Sequence, residues 1–361
     1  MENQKQSDLQ LQMVKRGLDF FKSKKRGYYN LAMRFGKCKV TIELVKKLHH
    51  KPTILLAYPD NKLKSTWMSE FEKWGYDDAE VIYVNFTSLH KYKNFGEAFD
   101  IFIIDEFHSC SEGERETAHE IMDDCKYTIA LSGTVSHETK CEWDLFEIAS
   151  YTTDQGIEDQ ILADYQITVH VVKLDSLIKT KDSKGKFKTE KQRYDAYTWV
   201  MDKLRKEGRD TMHLALARNR LSLSSLGKIN YVKRLLSRLY DKRVLVFTGL
   251  AKVADQLGIP SFHSKTKTDD AFHRFQSGKE NHLALAAMGK MGVTYNHLDS
   301  VILLNFTYNA EETAQILNRA IKLDYNGKIA DLHIIVLNEE PELKKIKESL
   351  SMLDVKKIKY I

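Results

Sequence analysis

Ile101-Phe102-Ile103-Ile104-Asp105-Glu106-Phe107-His108 is the stretch that decides the fold. Four apolar residues with a β-branched majority read as a strand buried on both faces, the kind found in parallel sheets. Two carboxylates follow at its carboxyl end, where open α/β sheets place their ligands. Adjacent acids there suit nucleotide hydrolysis: one carboxylate to hold Mg²⁺, one to orient the attacking water, and a neutral His108 to report the result to neighbouring loops. The plainer alternative for this segment alone is an acid that caps the next helix.

Outward from this strand, short apolar runs alternate with helical patterns, which predicts parallel α/β sheets. In the first half, strands are expected at 53–58, 81–84, 101–104 and 127–131, with helices at 39–49, 63–74 and 114–125. The periodicity weakens near 151–164 and resumes with a strand at 167–172. Further strands are expected at 243–247, 283–287, 301–305 and 333–337, with a helix at 310–320 between the last two. Two α/β domains follow, 1–160 and 161–361, a division that also suits the length of 361 residues. The segment 173–193 differs in character, with eight lysines and arginines against three acids. It reads as an exposed hairpin blunted by lysines or as a basic finger laid on a phosphate backbone. Trp67 and Trp74, seven apart on a helix, read as core packing, and 341–361 as a short helix with a lysine-rich end packed on the second domain.

Composition narrows the class. Hydrophobic residues at 42% and charged residues at 29% are those of a soluble globular protein. The net charge of +6 is a mild basic bias, compatible with a polyanionic partner. The four cysteines have no CxxC spacing, which argues against a zinc ribbon and for reduced thiols in a cytoplasm-like compartment. Residues 1–12 lack the apolar core of a signal peptide, and no apolar run approaches the ~20 residues of a membrane span. The expected location is therefore the cytoplasm, of a bacterium or of a virus-infected host cell.

Asn30-Leu31-Ala32-Met33-Arg34-Phe35-Gly36-Lys37-Cys38 precedes the acidic strand and opens onto a helix. A Gly-Lys step at a helix amino terminus can wrap backbone amides round a phosphate and place an ammonium on it. The dipeptide is common here and recurs at Gly185-Lys186, Gly227-Lys228, Gly278-Lys279, Gly289-Lys290 and Gly327-Lys328. What separates Gly36-Lys37 is the helix behind it and the acidic strand ~70 residues later, a P-loop spacing.

The order of motifs resembles the superfamily 2 helicases and translocases, including phage and restriction-type branches, through nearly the whole chain. Gly36-Lys37 resembles their first motif, and Asp105-Glu106-Phe107-His108 their DExH box. Leu131-Ser132-Gly133-Thr134 is similar to coupling motif III. Tyr58-Pro59 with Trp67, Glu70 and Trp74 is similar to motif Ia, and 84–89 sits where these proteins touch the nucleic-acid backbone. In the second half 244–248 resembles motif IV, and Met288 to Asn296, with Gly292-Val293-Thr294, resembles motif V. Gln315 to Lys322, with Arg319, resembles motif VI. Gln10 matches the upstream glutamine that reads adenine, with Gln4, Gln6 and Gln12 as competitors for the role.

The resemblance implies a P-loop NTPase of two tandem RecA-like domains with parallel sheets, hydrolysing ATP with Mg²⁺ in the cleft between them. Lys37 would neutralise the β/γ-phosphates, Asp105 hold Mg²⁺ and Glu106 polarise the lytic water. Arg319 would act as an arginine finger beside Gln315. Gln10, Arg34, Phe35, Gly36, Cys38, Gly292 and Lys322 would line the nucleotide. His108, Ser132 and Thr134 would link that site to the nucleic-acid track. Asn61, Lys62, Thr87, Ser88, Thr248 and Thr294 would grip the backbone without reading sequence. The implied partner is nucleic acid, DNA in preference to RNA. A protein partner could supply substrate choice, and the implied state is a monomer without membrane attachment.

Four positions depart from the pattern. Cys38 stands where a Ser or Thr hydroxyl ligates Mg²⁺, and a thiol is a soft ligand for a hard ion. Lys322 replaces a second arginine and lacks its planar fork. Asn318 and Arg34 stand where glycine is usual. The leading expectation is an ATP-dependent DNA helicase or translocase. The alternatives are a Swi/Snf-type duplex translocase and a degenerate helicase-like protein that binds nucleic acid or a partner with little ATP turnover.

Overall fold

The computed structural model describes residues 4–32, 35–76, 79–133, 135–181, 185–266, 268–286, 298–305, 329–351 and 353–361. The chain forms two compact units, one built up to Ala163 and the other from Asp164 onward.

The first unit runs α1 (Gln4–Phe20), β1 (Arg26–Leu31), α2 (Lys37–Leu48), β2 (Thr53–Tyr58), α3 (Asn61–Lys73), β3 (Glu80–Asn85), β4 (Ile101–Asp105), α4 (Glu112–Asp124), β5 (Tyr127–Ser132), α5 (His137–Glu142), β6 (Phe146–Tyr151) and α6 (Thr153–Glu158). Its sheet is parallel with strand order β3-β2-β4-β5-β1-β6. β4 is buried at every position, as an inner strand covered on both faces must be. The core against it joins Leu55, Phe102, Ile104, Phe107, Ile121 and Trp143. β1 and β6 were not anticipated from the sequence, and β1 proves to be the strand that leads into Gly36-Lys37.

The second unit runs β7 (Tyr165–Val172), β8 (Thr180–Lys181), β9 (Phe187–Lys188), α7 (Glu190–Lys206), α8 (Met212–Leu223), α9 (Leu226–Arg238), β10 (Val244–Phe247), α10 (Ala251–Gln256), β11 (Ser261–Phe262), α11 (Asp270–Gln276), β12 (His282–Leu285), β13 (Ser300–Leu303), β14 (Ala330–Leu337), α12 (Glu340–Ser349) and β15 (Ile358–Tyr360). Among the described residues seven parallel strands take the order β11-β12-β10-β13-β14-β7-β15. β8 and β9 form a separate antiparallel ribbon, so the lysine-rich segment is a hairpin. The lysine-rich end after α12 carries β15, which pairs with β7. The expected helix at 310–320 lies outside the described residues.

Candidate active site

Three neighbouring strands, β4, β5 and β1, end side by side, and their carboxyl ends build the site. β4 delivers Asp105 and Glu106, β5 delivers Ser132, and the chain beyond β1 reaches Gly36 and Lys37 at the start of α2. Gly36 holds a left-handed φ of 99°. A Cβ there would stand 2.4 Å from Gln10 Nε2, so conformation and space both require glycine. Glu106 also adopts a left-handed conformation, φ 54° and ψ 45°, which is costly for a residue with a side chain. The turn swings its carboxylate back toward α2. Lys37 Nζ meets Glu106 Oε1 at 2.5 Å, with both side chains largely buried.

Asp105 is buried, and its Oδ2 accepts a hydrogen bond from the indole N–H of Trp67 at 2.8 Å. Burial pushes its carboxyl up to about 6; the Lys37 ammonium opposes this, the Glu106 carboxylate adds to it, and the Trp67 bond opposes it again. Burial would lower the Lys37 ammonium, but Glu106 and Asp105 outweigh that and hold it above the ordinary lysine value. Burial also pushes the Cys38 thiol up, and a thiol is in any case a soft ligand for a hard ion. Asp105 alone still fits Mg²⁺, an ion that keeps several waters and takes one or two carboxylates beside phosphate oxygens. Among the described residues no cluster of three or more His, Cys, Asp or Glu forms an all-protein metal cage.

His108 Nδ1 lies 2.8 Å from Ser132 Oγ and 3.6 Å from Glu106 Oε2, so a polar string joins the ends of β4 and β5. Gln10 is buried on α1, and its Nε2 donates to the Phe35 carbonyl at 2.6 Å. Its Oε1 is buried without a hydrogen-bond partner, an acceptor that costs stability unless something donates to it. Gln6 reaches the same carbonyl at 3.2 Å from a less buried position. Gln10 borders a cavity of about 230 Å³, lined also by Leu11, Val14, Lys39, Val40 and Trp74. Phe35 is buried and its ring lies 4.4 Å, centroid to centroid, from that of Tyr151.

The backbone-gripping candidates divide. Asn61 begins α3 and Thr87 follows β3, so they stand at the carboxyl ends of the paired strands β2 and β3. Asn85 ties these loops together by donating to the Pro59 carbonyl at 3.0 Å and accepting from the Thr87 amide at 3.1 Å. Thr87 is exposed and Ser88 half-buried. Thr248 is wholly buried, and its hydroxyl donates to the carbonyls of Leu250 and Leu285. Arg34, Thr134, Gly292, Thr294, Gln315, Arg319 and Lys322 lie outside the described residues, as does the Lys62 side chain. Trp67 is buried, as its helical spacing predicted; what the sequence did not show is that it donates to Asp105 and that Asn85 ties the β2 and β3 loops.

No protein-family model and no curated protein matches this sequence. Solved structures do. An ATP-dependent Type ISP restriction-modification enzyme, LlaBIII bound to DNA, aligns over 98% of this chain and 31% of its own, with TM-score 0.62 at 13% identity. The fragment structure of a putative HsdR subunit of a type I restriction enzyme from Vibrio vulnificus aligns over 90% of this chain and 63% of its own, with TM-score 0.59 at 20% identity. A DEAD box protein from Methanococcus jannaschii aligns over 96% and 91%, at 16% identity and TM-score 0.49. The chain thus spans about a third of the first neighbour and under two thirds of the second. At these identities the likeness shows the fold alone: α/β, with two mostly parallel sheets of the RecA-like kind shared with the two restriction-enzyme structures.

Proposed function

We propose that this chain is an ATP-dependent DNA helicase or translocase. The observation that carries the proposal is the meeting of Lys37, Asp105 and Glu106 at adjacent strand ends, with a 2.5 Å contact between Lys37 and Glu106. In this proposal Lys37 exchanges Glu106 for the β/γ-phosphates, which frees Glu106 to polarise the attacking water. Asp105 would hold Mg²⁺, which when bound neutralises phosphate charge. Gln10 Oε1 accepts from the adenine amino group, a contact that guanine, with a carbonyl there, cannot make. Arg319, with Gln315, Gly292, Lys322 and Arg34, keeps the role its motif implies. Asn61, Lys62, Thr87, Ser88 and Thr294 grip the backbone, and His108, Ser132 and Thr134 carry the state of one site to the other. A protein partner is also proposed, since one neighbour is by its own description a subunit of a larger enzyme. The chain itself is proposed to act as a monomer.

Cys38, a soft thiol where the resembled motif has a hydroxyl, favours one alternative, a helicase-like protein that binds nucleic acid with little turnover. Phosphate release from the full chain, alone and with single-stranded DNA, duplex DNA or RNA, separates the two. DNA is expected to stimulate release, and Glu106→Gln to lower it by about 10²-fold or more while ATP still binds. In the same assay Cys38→Thr is expected to keep or raise the rate. Release indifferent to every nucleic acid removes the motor, and no release at all leaves the binding protein.

A further inference from the structure

The net charge of +6 is not spread along the chain. Residues 173–220 hold fourteen lysines and arginines against seven acids, a net +7, so the remainder sums to −1. This stretch follows β7 and contains the β8–β9 hairpin, α7 and α8.

The root of the hairpin is firmly built. Glu190 is buried and accepts from Ser225 Oγ at 3.0 Å and from the amides of Leu226 at 2.5 Å and Asp175 at 3.1 Å. Asp175 Oδ1 accepts from the amides of Leu177 at 3.0 Å and Ile178 at 2.6 Å. The Arg193 guanidinium donates to the carbonyl and hydroxyl of Thr180. Two of the nearby acids are therefore turned to backbone amides, while Lys179, Lys181 and Lys186 stand exposed. The register sets Lys181 opposite Phe187, its ammonium 5.6 Å from the ring centroid. Phe187 is itself 62% exposed. Trp199 on α7 repeats the theme, 67% exposed with Lys203 beside its ring at 5.9 Å. An exposed aromatic face among ammonium groups matches a nucleic-acid strand, phosphates to the lysines and a base to the ring.

We propose that the β8–β9 hairpin is a second nucleic-acid grip, distinct from the loops around Asn61 and Thr87. Lys179, Lys181, Lys186 and Lys188 engage phosphates, and Phe187 packs on a base of a single strand. The proposal rests on the nucleic-acid partner inferred above.

The test uses the full chain, a fluorescent single-stranded oligonucleotide, the matching duplex and poly-glutamate, titrated over a range of salt. Replacing the four lysines by alanine is expected to weaken single-strand binding roughly 10- to 100-fold and to flatten the slope of log K against log salt by about 2 to 3. Phe187→Ala is expected to weaken it by about 5- to 100-fold with the slope unchanged. The four-arginine counterpart keeps the affinity, which separates charge from misfolding. If the wild type binds and the alanine variant matches it in affinity and slope, the hairpin proposal falls alone. If the wild type binds neither nucleic acid, the partner reading falls and the hairpin with it. An equal loss on poly-glutamate, with no effect of Phe187→Ala, also overturns the proposal, in favour of an acidic protein.

Discussion

Trp67 is wholly buried on α3, and its indole N–H reaches across to Asp105. Phenylalanine at this position would keep an aromatic ring but leave a buried carboxylate without that donor. Trp67→Phe is expected to lower stability by about 1–3 kcal/mol, read as a lower urea midpoint with an unchanged slope. An unchanged midpoint would mean that water or another donor replaces the indole. Lys37, Asp105 and Glu106 were legible in the sequence because each is marked by its immediate neighbours, a glycine before a helix or an apolar run before a turn. The roles of Trp67 as donor to Asp105 and of Asn85 as a loop tie were not. Their partners lie 38 and 26 residues away, and no local pattern encodes a pair that only the sheet order brings together.

Elements divide along similar lines. β2, β4 and β5 are buried apolar runs, and residue type alone marked them as inner parallel strands. β1, Arg26-Gly27-Tyr28-Tyr29-Asn30-Leu31, has no such run. Its tyrosines can be buried because their hydroxyls find partners: Tyr29 donates to the Met13 carbonyl at 2.8 Å and Tyr28 to Glu147 at 3.0 Å. In the second unit a polar string joins α9, β7 and β14. His170 Nδ1 lies 2.8 Å from the Tyr231 hydroxyl, its Nε2 2.9 Å from His333 Nδ1, and His333 Nε2 3.3 Å from Asp331. Burial lowers the His170 imidazole to about 4; His333 adds to this and Asp331 opposes it. The unfolded chain takes up this proton near pH 6.5 and the folded one only near 4. Stability should therefore be level above 6.5 and fall as pH drops from 6.5 toward 4. His170→Phe should flatten that part of a urea-midpoint profile; a slope identical to wild type would place the acid sensitivity elsewhere.

At the scale of the molecule, the two sheets are assembled from very different stretches of chain. Every strand of the first sheet lies between Arg26 and Tyr151. In the second, β7 pairs with β14 through Tyr165↔Ala330 and with β15 through Ile167↔Ile358. Closing such distant pairs slows folding. Trp67, Trp74 and Trp143 all belong to the first unit, and Trp199 is largely exposed, so tryptophan emission reports chiefly on that unit. On dilution from denaturant, emission should recover before far-UV circular dichroism does. Identical rates would show that the units fold as one. The placement of β7 between two late strands also bears on synthesis. It leaves the ribosome about 165 residues before β14, a wait of roughly 10–30 s at common elongation rates. Throughout that interval both of its hydrogen-bonding edges lack their final neighbours, which leaves Tyr165–Val172 open to mispairing while the rest of the chain is made.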